Sequence, residues 1–255
     1  MAIQDLIILD HFLYSFEVPL FNRIMSLCEI IKRCEHHTIG RPDASYEGVY
    51  LFAQDGSYLE MLKHPIQSPR VGGLAVSALS PDQEPVRLLP SRYTQLQWFS
   101  HQIRAADNQP WYTYFGQIPI EEIQRQGFML WAMLYDNLRR HRAYQYQKKP
   151  PSDKEFAVQE FTAARIKMAS RYLDTIRKQA QWLPGNHSIS DKKIILRVVN
   201  PSFHEFEVTI EADKEDTQNK FVSVTMQLNS NAQIESQQVK GLRLTRLQNK
   251  LVLNF

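Results

Sequence analysis

Two polar side chains sit inside apolar runs near the start of the chain. His11 lies in LIILDHFLYSF and Glu60 in SYLEML. An unpaired charge in a protein interior is costly and tends to be neutralised, so each group needs a partner or a cavity. Brought together, an imidazole and a carboxylate could hold a divalent metal or carry out proton chemistry. They could equally contact a ligand without metal, or simply bond to each other. Arg41 and nearby tyrosines are further candidate partners for Glu60.

Other constellations carry weaker signals. Cys28, Cys34, His36 and His37 are zinc-capable types, but their spacing matches no standard finger. Six positions along a helix span about 9 Å, too far for an easy disulfide, so Cys28 reads as a small buried hydrophobe in a reduced, cytoplasmic setting. His36 and His37 are adjacent, so on a strand they point opposite ways. Trp98, Phe99, Trp111, Tyr112, Tyr114, Phe115 and Trp131 form an aromatic set that could line a planar or apolar ligand site, or pack as core. The run RRHRAYQYQKK, residues 139–149, could meet phosphates through basic and aromatic side chains, but a solvated connector is the expected role. There is no glycine-rich phosphate loop and no Gly-x-Ser-x-Gly nucleophile elbow.

The elements that must position these groups follow from periodicity and turns. Residues 6–16 read as a strand, followed by a helix entered through Pro19 and a short strand at 36–41. Gly48 to Phe52 and Tyr58 to Leu62 read as a hairpin closed around Asp55-Gly56, with Glu60 on the face of Tyr58 and Leu62. His11 is expected on the face of Leu9 and Leu13. A second segment repeats the rough order, with a strand at 71–79, a helix at 93–106, and strands at 111–115 and 128–135. Ser152 and Glu155 have capping-box spacing ahead of a long amphipathic helix reaching Trp182. Five further strands are expected between 194 and 255. The division predicted is 1–148 for the first domain, 149–186 for the long helix and 187–255 for a small antiparallel β-rich subdomain, an α+β fold overall.

With 43% hydrophobic and 22% charged residues among 255, the composition is globular. A net charge of +3 is too small to imply nucleic acid by itself. No apolar run is long enough for a membrane helix, and the first residues, with early acids and no basic leader, read as a strand rather than a signal peptide.

LDHF at residues 9–12, then a helix, then GVYLF and SYLEML, resembles the glyoxalase-like group of the vicinal oxygen chelate superfamily. The resemblance implies paired βαβββ-type half-modules, about 6–64 and 71–136, forming a curved mixed-sheet cup. In metal-dependent members, a histidine on the first strand of a half-module and a glutamate on its last strand bind a divalent metal; the matching residues are His11 and Glu60. Glu60 would serve as ligand or catalytic base in a lyase, isomerase or oxygenase. Arg41, Tyr50, Tyr58, Trp111 and Trp131 would meet a small-molecule ligand, and a homodimer is a possible assembly. The alternative is a non-enzymatic protein that sequesters a ligand or binds another protein. In the second half-module, Gly73-Leu74-Ala75 supplies no histidine, and FMLWAMLYD supplies no acid before Asp136. Aligning glycines sets Trp131 against Glu60, whereas aligning strand ends sets Leu134 there.

Overall fold

The computed structural model describes residues 6–40, 45–63, 72–79, 95–103, 111–117, 128–135, 156–183, 186–213 and 220–255. Arg41, the basic run 139–149 and the Ser152 to Glu155 capping box lie outside the described residues, as do the side chains at 111–115. Among the described residues there are two short α-helices and sixteen strands in one continuous sheet, whose first and second groups of eight strands are joined by parallel pairing at Ile8 and Val199. No described helix is long and apolar enough to cross a membrane.

The first group begins with β1 (Leu6–Phe16), α1 (Val18–Ile24), β2 (Cys34–Gly40), β3 (Ser45–Phe52) and β4 (Tyr58–Lys63). It continues with β5 (Gly72–Leu79), β6 (Gln97–Ile103), β7 (Trp111–Gln117) and β8 (Phe128–Tyr135). β2, β3 and β4 form an antiparallel meander, and β4 pairs in parallel with β1. β6, β7 and β8 repeat this, with β8 parallel to β5. β1 and β5 join the halves antiparallel, giving the order 2-3-4-1-5-8-7-6. This is an open, curved cup of paired modules, as the resemblance implies.

The β3–β4 hairpin forms as its turn residues dictate. Gly56 takes φ +93°, and Asp55 Oδ1 accepts from the Ser57 amide at 2.9 Å and its hydroxyl at 2.6 Å. The turn is also clamped from outside, since the amides of Gln54 and Asp55 donate to the carbonyls of Val158 and Gln159 at 3.0 and 3.2 Å.

Two of the expected helices fail. The segment 93–106, expected as a helix from Leu96, Phe99 and Ile103, contains β6, because pairing with β7 along Gln97–Ile103 overrides that spacing. The first part of the expected long helix that is described contains β9 (Val158–Met168). Buried Ala164, Ile166 and Met168 alternate with exposed Arg165 and Lys167, a period of two that the 3.6-residue reading through Phe161, Arg165 and Met168 obscured. Among the described residues of this stretch, helix appears as a 3-10 turn (Ser170–Tyr172) leading into α2 (Leu173–Ala180).

The second group continues with β10 (Ser188–Ile189), β11 (Lys193–Val199), β12 (Glu205–Ala212), β13 (Lys220–Leu228), β14 (Gln237–Val239), β15 (Leu242–Leu247) and β16 (Lys250–Asn254). β9 pairs in parallel with β12 and antiparallel with β13, the relation β1 bears to β4 and β5. Where sequence suggested that β11 is buried on both faces, only Ile194, Leu196 and Val198 are fully buried.

One apolar core runs through both groups. On β1, Phe12, Tyr14 and Phe16 turn away from His11 and meet Phe221 of β13, with ring centroids 5.4, 5.0 and 5.9 Å apart. Gln179 on α2, 1% exposed, accepts from the Leu130 amide at 2.8 Å and donates to the Phe128 carbonyl at 3.2 Å. β7 pairs with β8 only from Trp131 onward, so this side chain stands in for a strand beyond the ladder's end.

Candidate functional site

The site lies on the face of the first group of strands opposite that core. β1 sets His11 beside Tyr58 of β4 on one side and Ala75 of β5 on the other, and Ala75 is beside Trp131 of β8. The Tyr58 ring stacks on the imidazole at 4.6 Å, and the Trp131 ring meets it edge-on at 5.5 Å. Glu60 sits one row along, where its Oε1 accepts from the Tyr50 hydroxyl at 2.8 Å. Its Oε2 lies 3.7 Å from His11 Nε2. His11 and Glu60 are 4% and 8% exposed, so sequence proximity to apolar residues did translate into burial. Tyr50, Tyr58 and Trp131 are thus brought together with the pair, while Arg41 and the Trp111 side chain lie outside what is described.

Asp10 was missed by sequence reasoning. Regular alternation would point it away from His11, but a register shift between Leu9 and His11 places a β-bulge at this point. Leu9 turns into the core, contrary to the expectation that it shares the face of His11, and Asp10 Oδ1 comes within 2.6 Å of His11 Nδ1. The imidazole is therefore held between two carboxylates. With Nδ1–H donating to Asp10, the Nε2 lone pair faces Glu60 and the inside of the cup. An adjacent Asp-His pair in sequence was the available signal, but nothing in sequence marks the bulge.

The next row of the face carries a second polar chain. Glu35 on β2 stands opposite Tyr50, accepts from Arg33 at 2.8 Å, and its Oε2 lies 3.0 Å from His37 Nε2. The hydrogen bond from His37, with the Arg33 charge, holds the Glu35 carboxyl below its ordinary range despite the opposing effect of burial. A lowered folded-state pKa means that Glu35 stabilises the protein above the unfolded value and that this contribution fades as pH falls through the folded value. Glu35→Gln is therefore expected to be less stable than wild type at pH 7, with the gap closing as pH drops below 4.5, the ordinary value. Urea unfolding of both proteins across that range checks this; a gap that is constant with pH would contradict it.

The paired part of β1–β4 begins at His11 and Tyr58, and that of β5–β8 at Gly72 and Phe128. Matching like faces sets Gly73 at the position of His11 and Trp131 at that of Glu60, which decides between the two alignments in favour of Trp131. A Cβ built on Gly73 would lie 2.0 Å from Trp131 Cζ3. The indole therefore fills the volume that a side chain at position 73 would occupy. A divalent site of this kind needs three or four donors. His11 and Glu60 are two, the matching positions contribute none, and Trp131 packs with Ala75 and Met133 as a small apolar cluster. No group of three or more His, Cys, Asp or Glu able to hold a metal occurs among the described residues. Among the described residues, the donor set does not fit a resident divalent metal.

Cys28 and Cys34 do not lie on one helix. A short 3-10 turn (Met25–Glu29) follows α1, the chain reverses through Arg33 at φ +63°, and Cys34 opens β2. Their Sγ atoms are 3.4 Å apart. The expected six-residue helical separation is overturned because the helix ends before the second cysteine.

No family model matches the sequence, and no curated protein matches it. Among solved structures, a hypothetical protein from Staphylococcus aureus is similar over 92% of this chain and 97% of its own, with a TM-score of 0.56 and 14% identity. The Mn(II)-bound glyoxalase from Novosphingobium aromaticivorans is matched over 82% of this chain and 62% of that one, with TM-score 0.40 and 11% identity. Homoprotocatechuate 2,3-dioxygenase from Arthrobacter globiformis gives 86% and 81% coverage, TM-score 0.32 and 10% identity. Strand order and module pairing are those of the paired-module cup that the glyoxalase-like resemblance implies.

Proposed function

We propose that this chain is a small-molecule-binding protein that uses the concave face of a glyoxalase-like cup without a resident metal. The observation that carries this reading is Trp131 lying over Gly73, where the second half-module would need donors. The ligand class this favours is a small planar or apolar molecule with one hydrogen-bonding group. Trp131, Ala75 and Met133 offer the apolar side, and His11, Glu60 and Tyr50 the polar side. Buried titratable groups gathered beside aromatic rings support a site here rather than a plain core. Asp10 orients His11, whose Nε2 can accept or return a proton at a bound hydroxyl or amine. The alternative that the chain binds another protein would have used the expected long helix, of which β9 replaces residues 158–168.

A metal-assisted enzyme is the second reading, favoured by two features. The 3.7 Å separation of His11 Nε2 and Glu60 Oε2 is close to the roughly 3.4 Å edge of a tetrahedron with bonds of about 2.1 Å. Asp10 on the far ring nitrogen is also the outer partner that metal-bound histidines use. Elemental analysis distinguishes the two. Wild type purified without added metal, and again after loading with manganese, iron or zinc, is expected to hold well under one equivalent. Near-stoichiometric metal lost in both His11→Ala and Glu60→Ala would establish the second reading instead. Screening a panel of small phenols, alcohols and aromatic acids by Trp fluorescence, with His11→Ala and Trp131→Phe as controls, tests the ligand site itself.

A further inference from the structure

We propose that Cys28 and Cys34 form a reversible dithiol–disulfide couple that reacts with peroxides. They are the two cysteines of the chain, and the fold sets their sulfurs 3.4 Å apart across a tight reversal. Closing to a disulfide needs about 1.4 Å of approach, to roughly 2.05 Å, which small side-chain rotations and a slight shift of the connecting turn can supply. The reversal is well defined: the Ile31 amide donates to the Leu27 carbonyl at 2.8 Å, and the Cys34 amide to the Ile31 carbonyl at 3.1 Å.

The pair is asymmetric in the way such a couple needs. Cys28 is half-buried and so reachable by a small oxidant, while Cys34 is buried. When Cys28 ionises, the Cys34 thiol can donate to its sulfur. That hydrogen bond lowers the Cys28 pKa, against burial and the Glu35 charge. The same contact, together with burial, raises Cys34 well above its ordinary value. Cys28 is therefore the attacking thiolate and Cys34 the resolving thiol.

The chemistry balances with hydrogen peroxide as oxidant. The Cys28 thiolate attacks one peroxide oxygen, the O–O bond breaks, and the departing hydroxide takes up a proton to leave as water, with Cys28 as the sulfenic acid. The Cys34 sulfur then attacks the Cys28 sulfur, the S–O bond breaks, and the hydroxide leaves with the Cys34 proton as a second water. Two thiols and one peroxide become one disulfide and two waters. A dithiol reductant reverses the change by exchange.

The test uses the full chain, reduced, freed of reductant and treated with a small excess of hydrogen peroxide. Trypsin cuts between the cysteines at Lys32 and Arg33 but not at Arg41, which precedes Pro42, so the oxidised protein should yield peptide 24–32 joined to peptide 34–63. Titratable thiols should fall from two to none, the mass should drop by about 2 Da, and dithiothreitol should restore both. In Cys34→Ser, Cys28 should be trapped as sulfenic acid by a cyclic dione. Two thiols surviving the treatment, sulfinic acid on Cys28 beside a free Cys34, or a disulfide formed only between molecules would each overturn the proposal.

Discussion

Exchanging Gly73 for histidine together with Trp131 for glutamate is expected to create a divalent-metal site that the wild-type chain lacks. Gly73 and Trp131 stand at the positions matching His11 and Glu60, and both pairs lie on adjoining strands of the same face. Removing the indole vacates the volume next to position 73, where an added Cβ would otherwise meet it at 2.0 Å. The four side chains then supply two imidazoles and two carboxylates, a donor set suited to manganese, iron or zinc. The double variant should hold about one equivalent of metal against well under one for wild type. Because metal would bind the folded state alone, a hundredfold excess over Kd should add about 2.7 kcal/mol to stability. Without metal, the variant should be less stable than wild type, since two polar side chains would replace a packed indole. Thermal melts with and without manganese, and a His11→Ala addition that abolishes the shift, are the measurements. A double variant that folds but gains neither metal nor stability would show that the two half-modules are not matched in this register.

Phe221→Ala is expected to lower the unfolding free energy by about 3–5 kcal/mol. Phe221 belongs to β13, yet its ring packs on β1 of the other group, stacked on Tyr14 at 5.0 Å and on Phe12 at 5.4 Å. Phe255 closes the cluster from β16's end at 4.7 Å. Deleting the ring removes apolar contact from both groups at once and leaves a cavity among four aromatic side chains that cannot all collapse into it. Phe221→Leu retains much of the volume and should cost under about 2 kcal/mol. Urea unfolding followed by far-ultraviolet circular dichroism gives both values. A loss below 1 kcal/mol in the alanine variant would contradict the packing of the two groups through this ring.

Neither the charge at Glu60 nor the imidazole at His11 needed a structure to be noticed, because a polar group inside an apolar run is visible in a single strand's alternation. The Asp55-Gly56 turn was legible for the same reason: it depends on local backbone chemistry, and Gly56 does adopt the left-handed conformation. The terminal strands β11, β12, β13, β15 and β16 were likewise recoverable from turns and β-branched runs, whereas the short β14 was not. Helical spacing failed at β6 and β9 because the same residues fit two periods, and partner strands distant in sequence selected one of them.

What local sequence determined was therefore the polar half of the site and its hairpin, while the cup built from paired modules followed from the resemblance. Tertiary structure decided what that half faces. The bulge that turns Asp10 toward His11 is set by the register of β1 against β5, which no local pattern encodes. The approach of Cys28 to Cys34 depends on where a short helix stops and the chain reverses. Trp131 fills the volume over Gly73 because β8 lies beside β5, and strand adjacency is a long-range choice made by packing the whole sheet.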